Sequence, residues 1–235
     1  MNPFSSVLIG NESLLIQCGE VLRSEGHSIA AVVSRNPEVR SWASAAGLQV
    51  ETPGADLASQ LPDCFDWLLS IANLDIIPQA ALDRAAKGAV NFHDGPLPAY
   101  AGLNAPVWAL ANGESQHGIT WHLIDGGVDE GDILVQRRFD IGAEDTALTL
   151  NTRCYAAAID SFPELVTALA SGAPDRHRQD LSQRSYFGLR HRPAAAGRLD
   201  FTQPAAALQA LVRALDHGDY WNPLCRAKIE LAGQL

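Results

Sequence analysis

Basic residues are in short supply in this chain: 17 Lys and Arg stand against 27 Asp and Glu, a formal net charge of -10 and a pI near 5.0. That balance argues against a large phosphate-binding surface, because nucleic-acid affinity rests on clustered Lys and Arg. Long apolar runs are also missing, and none approaches the roughly 18 to 20 residues of a membrane span. The first seven residues lack the basic start of a secretory signal, so the expected setting is cytoplasmic with no membrane partner. Cysteines number four and lie far apart, Cys18, Cys64, Cys154 and Cys225, with no Cys-x-x-Cys pairing. Free thiols are therefore expected rather than a disulfide frame, and no metal ligand set is assigned. Neither Gly-x-Gly-x-x-Gly nor Gly-Lys-Ser/Thr occurs, so the phosphate cradle that NAD or ATP needs is absent. Gly10, in Ile9-Gly10-Asn11-Glu12-Ser13, reads as turn geometry. Internal repeats and low-complexity tracts are lacking too.

What is present is a chain of 235 residues, 47% hydrophobic and 19% charged. It can bury one medium domain and a small appendage. Short apolar runs at 6–10, 28–34 and 66–72 read as buried strands. They alternate with amphipathic helical patterns at 12–24 and 37–46 and with a helix opening at Pro78. This order predicts an α/β fold, a mainly parallel sheet with helices on both faces. Further strands are expected at 88–93, 118–124 and 132–139, and a helix at 105–112 closed by Gly113. One long helix is expected at 146–171, with Pro163 as the place where it could break. From Ser171 to about Gly197 the composition shifts to Pro, Gly, Ser and Arg, the mark of a linker that Tyr186-Phe187-Gly188 could anchor. A helix at 205–214 with an apolar face of Leu208, Leu211, Val212 and Leu215 follows, then a last strand at 226–231. The expected domains are 1–172, a linker at 173–199, and a small, truncated C-terminal subdomain at 200–235.

The charge is unevenly placed. Between Asp175 and Arg198 lie six arginines and two aspartates, about +4, which leaves about -14 for the remainder. An acidic partner could dock there, and a solvated connector with ordinary surface arginines accounts for the same residues.

The chemistry-bearing residues sit at the end of the 88–93 strand. Asn91 and His93, two apart, share one face, and polar groups at the carboxyl end of an open α/β sheet lie where such folds bind ligands. Asp129 comes 36 residues after His93, in the glycine-rich loop Asp125-Gly126-Gly127-Val128-Asp129-Glu130-Gly131-Asp132. An amide, an imidazole and a carboxylate suit a reaction in which an amine attacks a carbonyl carbon and an oxyanion is stabilised while a proton leaves.

Three stretches, Asn91 through Pro106, His117-Gly118, and Val128 through Leu134, resemble the formyltransferases that draw a one-carbon unit from 10-formyltetrahydrofolate. The resemblance implies a Rossmann-like catalytic domain in which Asn91 holds the formyl oxygen, His93 serves the amine as base or stabilises the oxyanion, and Asp129 orients and tunes His93. It further implies that Ile76 and Ile77, the turn Gly95-Pro96-Leu97-Pro98, and Leu123, Asp125 and Val128 wrap the folate. The family more often has Ser-Leu-Leu-Pro where this chain has Gly95-Pro96-Leu97-Pro98, so backbone contacts are what that turn retains. Methionyl-tRNA formyltransferases carry a basic insertion after an early strand and a basic C-terminal barrel, and this sequence reads as having neither. The run His93-Asp94-Gly95-Pro96-Leu97-Pro98, with Tyr100-Ala101-Gly102, Tyr186-Phe187-Gly188 and the segment from His217 to Leu224, is most similar to formylation domains that open nonribosomal peptide synthetases. That similarity implies an aminoacyl thioester on an acidic carrier protein as acceptor and an adenylation domain as neighbour, in antibiotic biosynthesis. A sugar-nucleotide amine is the alternative acceptor, and a non-catalytic folate-binding module the alternative role.

Overall fold

A computed structural model describes residues 2–231, so the last four residues of the expected C-terminal subdomain lie outside the described residues. The chain runs β1 (Ser5–Ile9), α1 (Ser13–Ser24), β2 (Ser28–Val33), α2 (Pro37–Ala45), β3 (Gln49–Glu51), α3 (Leu57–Gln60), β4 (Phe65–Ser70), α4 (Gln79–Leu82) and β5 (Ala85–His93). It continues β6 (Ala101–Gly102), α5 (Ala105–Ala111), β7 (Gln116–Leu123), β8 (Ile133–Asp140), α6 (Ala147–Ala170), β9 (Tyr186–Phe187) and α7 (Ala205–Ala214). The seven-stranded sheet has the order β3-β2-β1-β4-β5-β7-β8. Its first five strands pair in parallel, and β7 joins β5 antiparallel. The fold is thus Rossmann-like and mostly parallel, with its strand order reversing at β1 and β4, where such sheets open a ligand crevice at their carboxyl ends.

Consecutive residues of β1 and β4 are buried, Val7, Leu8 and Ile9 as fully as Trp67, Leu68 and Leu69. Neighbouring residues point to opposite faces, so both faces of these strands are covered, and this is why they read as unbroken apolar runs. The first turn is tight: a Cβ on Gly10 would fall 1.9 Å from the Ile71 carbonyl oxygen, so close backbone approach is what fixes glycine there. Helix α1 buries Leu14, Leu15, Cys18 and Leu22. Helix α2 begins where the Asn36 side chain accepts from the backbone N–H of Glu38 and Val39, with Pro37 in the first turn. Among the described residues no helix is long and apolar enough to cross a membrane.

The chain divides into two compact units that interleave in sequence: residues 1–93, 120–136 and 158–179, and residues 94–119, 137–157 and 180–235. The first is built on a core of Val7, Ile9, Val33, Leu57, Phe65 and Leu68. In the second, α5 and α7 share a cluster with Val107, Leu110, Leu150, Ala214 and Leu215. There Tyr186 and Phe187 pair with β6, and the Phe187 ring lies stacked between those of Tyr100 and Trp108, 5.5 and 5.1 Å away. Of the two, Phe187 enters this stack, while Tyr186 is 48% exposed with the Arg184 guanidinium over its ring. Tyr100 donates to Glu114 at 2.6 Å, and burial together with that bond pushes its phenol up to about 12.

The long helix expected at 146–171 is present as α6, with Pro163 inside it; the Pro163 ring is exposed and costs only one backbone bond. One expectation is corrected. The strand expected at 226–231 is reduced to a bridge between Arg198 and Lys228, because its backbone bonds go to Gly197 and Leu199 rather than to a ladder. The short strand β3 and helix α3 were not anticipated by the pattern. Gln49, Val50 and Glu51 are too few and too polar to register as a buried strand.

Candidate active site

The antiparallel ladder between β5 and β7 builds the centre. It sets Asn91 opposite His122 and His93 opposite Thr120. Asn91 and His93 share a face of β5, while Phe92 points the other way and packs on Trp121, with ring centroids 5.1 Å apart. Trp121 donates to Ser161 at 3.0 Å and packs on Phe162, which backs the ladder with a buried, mostly apolar layer.

Asp129 arrives from the loop between β7 and β8. Its carboxylate lies between two imidazoles, 3.6 Å from His93 Nδ1 and 3.3 Å from His122 Nε2. All three side chains are buried, at 5%, 3% and 9% exposure for His93, His122 and Asp129. At this depth Coulomb attraction between the carboxylate and an imidazolium is screened far less than at a surface. His122 Nδ1 lies 2.8 Å from the Leu123 carbonyl, which can only accept, so that nitrogen carries a hydrogen. Asn91 Nδ2 is 3.2 Å from His122 Nε2, and Ser70 Oγ donates to Asn91 Oδ1 at 2.8 Å. The Asn91 amide is thereby clamped from both sides, leaving one N–H for a ligand oxygen.

The loop that carries Asp129 is tightly constrained. Asp129 itself has a φ of 57°, in the left-handed region that Asp tolerates better than most residues. A Cβ on Gly131 would meet the Leu123 carbonyl oxygen at 1.9 Å, so no other residue fits. Leu123 is 7% exposed at the end of β7, while Asp125 is exposed and Val128 is 45% exposed on the loop itself.

The other expected residues fall in two places. Ile76 and Ile77 line a cavity of about 260 Å³ at the carboxyl ends of β1 and β4, together with Ile9, Arg35, Asn73 and Asp75. Ile76 is 82% exposed, whereas Ile77 packs against the core beneath. Asn73 Nδ2 reaches Ser70 Oγ at 3.5 Å, so a polar path runs from this cavity through Ser70 to Asn91. Gly95, Pro96 and Leu97 are buried and Pro98 half-buried in the second unit, where Leu97 donates its N–H to the Gly95 carbonyl at 3.1 Å. His122 is the residue that sequence reasoning missed. Its position opposite Asn91 depends on the pairing register, which no local pattern reveals.

This arrangement can accept a proton at one imidazole, hold that imidazole by a carboxylate, and present an amide hydrogen to an oxyanion. Residues 65–166 match the formyl transferase family. The methionyl-tRNA formyltransferase of Solibacter usitatus is 31% identical over 229 residues, covering 89% of this chain and 72% of that protein. The solved structure of a 4-N formyltransferase from Francisella tularensis superposes with a TM-score of 0.80 at 13% identity, covering 99% of this chain and 94% of that one. An N-formyltransferase from Helicobacter canadensis, solved with folinic acid and dTDP-3-aminofucose, superposes with a TM-score of 0.72 at 18% identity, covering 90% and 80%.

Proposed function

We propose the following reaction for this chain, which belongs to the formyltransferase family: the formyl group of 10-formyltetrahydrofolate passes to a primary amine at the centre formed by Asn91, His93 and Asp129. The observation that carries the proposal is the buried carboxylate of Asp129 set 3.6 Å from His93 Nδ1, where it orients the ring for proton transfer. The amine nitrogen attacks the formyl carbon, and the carbonyl oxygen becomes an oxyanion that receives the remaining Asn91 N–H. His93 takes the ammonium proton as the new C–N bond forms. The bond from the formyl carbon to the folate nitrogen then breaks, and that nitrogen leaves with the proton that His93 took from the amine. An amide donor at the oxyanion contributes roughly 3 kcal/mol to such a step.

Donor binding falls to Ile76 and Ile77 on the cavity wall and to Leu123, Asp125 and Val128 around the Asp129 loop. They offer apolar surface for flat rings and one carboxylate for ring N–H groups. The Helicobacter canadensis N-formyltransferase, solved with folinic acid, supports a folate as the donor.

For the acceptor we favour an aminoacyl thioester on a carrier protein. Arg190 and Arg192 are exposed in the basic segment and suit an acidic partner electrostatically. The net charge of -10 disfavours a tRNA, whose binding depends on neutralising phosphates. A sugar-nucleotide amine is the second reading, supported by the dTDP-3-aminofucose in the Helicobacter canadensis structure. A single-turnover assay with 10-formyltetrahydrofolate separates them when both acceptors are offered in parallel and products are weighed by mass spectrometry. Gain of one formyl group on the carrier-bound amine, lost in His93→Ala, supports the favoured reading. Transfer to the sugar alone replaces the acceptor, and folate binding without transfer to either leaves a binding module.

A further inference from the structure

We propose that Gln179 is a positioning residue for this reaction, its side-chain amide holding the backbone of the Asp129 loop so that the carboxylate stays between the two imidazoles. The proposal rests on the role given to Asp129 above.

Gln179 is 50 residues away in sequence, beyond the end of α6, yet its Nε2 donates to the Asp129 carbonyl at 2.9 Å and to the Gly131 carbonyl at 2.7 Å. One NH2 group thus spends both hydrogens on two carbonyls of one loop. The amide orientation follows from chemistry, because an oxygen in that position would face two acceptors. The side chain is 7% exposed, and its Oε1 is buried without a hydrogen-bond partner among the described residues. A buried acceptor left unpaired costs about 1–3 kcal/mol. A leucine or methionine would fill the same space without that cost, so the amide is retained for what its nitrogen does. The segment is brought into place two residues earlier, where His177 and Ile133 exchange backbone bonds of 2.8 and 2.9 Å.

What the nitrogen does follows from the loop. Asp129 occupies the left-handed region, which an L-residue leaves when nothing holds it. Gly131 abuts the Leu123 carbonyl on one side, and Gln179 ties the same residue and Asp129 on the other. The carboxylate is therefore aimed by a backbone fixed at two points. A shift of the order of 1 Å at such a group costs roughly 10²-fold in rate.

The test compares Gln179→Met, Gln179→Glu and Asp129→Asn in formyl transfer from 10-formyltetrahydrofolate to the acceptor identified by the paired assay. The imidazole titrations of His93 and His122 are followed by NMR in the same proteins. Gln179→Met is expected to lower kcat by about 10²-fold with the KM for folate within twofold, and to move both imidazole titrations in the direction that Asp129→Asn moves them. Gln179→Glu at neutral pH sets a carboxylate against two carbonyls and loses more. A Gln179→Met protein that is merely less stable, with wild-type kcat and titrations while Asp129→Asn is inactive, overturns the proposal. An active Asp129→Asn protein removes instead the reading of the site on which it rests. If Gln179→Met does not fold, the side-chain amide hydrogens of Gln179 in the wild-type protein decide: slow exchange of both is expected, and exchange as fast as an exposed glutamine's refutes the tie.

Discussion

Two carboxylates of similar burial are handled in opposite ways by this molecule. Asp145, 13% exposed, precedes α6 and is saturated with donors: the Gly142 N–H at 2.7 Å, the Thr149 hydroxyl at 3.1 Å and the Arg153 guanidinium. Burial pulls its pKa upward, and these three donors more than offset that pull, holding it below the ordinary carboxylate value. Asp129, 9% exposed, faces two imidazoles at 3.3 and 3.6 Å instead. An arginine and a backbone amide keep a carboxylate ionised and inert, whereas imidazoles can gain and lose the proton that the carboxylate steers. Burial alone therefore does not mark a working carboxylate; the chemistry of its neighbours does.

Replacing each member of the pair sharpens the contrast. Asp129→Asn is expected to reduce kcat/KM by roughly 10³-fold, measured by single-turnover formyl transfer, with the melting temperature close to wild type. Asp145→Ala is expected to do the reverse. It strands the donors at the start of α6 and costs about 2 kcal/mol of stability, read as a melting temperature lower by roughly 4–8 °C. Its kcat should be unchanged. A loss of activity in folded Asp145→Ala protein would dissolve the distinction. His122→Phe keeps an aromatic ring in place but removes the partner of Asn91, about 1.4 kcal/mol, and should appear as about a tenfold fall in kcat. The smallest effect is on pH. A depressed folded pKa gives stability that is present above the unfolded value and lost as pH falls through the folded one. The stability difference between wild type and Asp145→Asn should therefore be full above about pH 5 and shrink below about pH 4, as urea unfolding across that range would reveal.

The parallel half of the sheet was legible because its strands are buried on both faces. Val7, Leu8 and Ile9 in β1 and Leu68 and Leu69 in β4 form runs that no exposed element would carry. Asn91 and His93 were legible as a pair because a strand's two-residue period puts them on one face. The pairing of His122 with Asn91 was not, since it depends on which strand lies opposite and in what register. Gln179 escaped notice for a related reason. It sits in a stretch whose composition announces a linker, and its bonds to Asp129 and Gly131 reach across 50 and 48 residues. Long-range polar ties between irregular segments leave no periodic trace.

The alternation along β5 has a consequence for how this sequence can evolve. Asn91 and His93 face the chemistry while Phe92 faces Trp121, so a single inserted or deleted residue within this stretch would send a phenyl ring into the site and an imidazole into the apolar layer. Descendants of this gene can drift through 88–93 by substitution, one side chain at a time, but an insertion or deletion there inverts the strand. Changes of length are therefore expected in the surface loops, where no ladder register is disturbed.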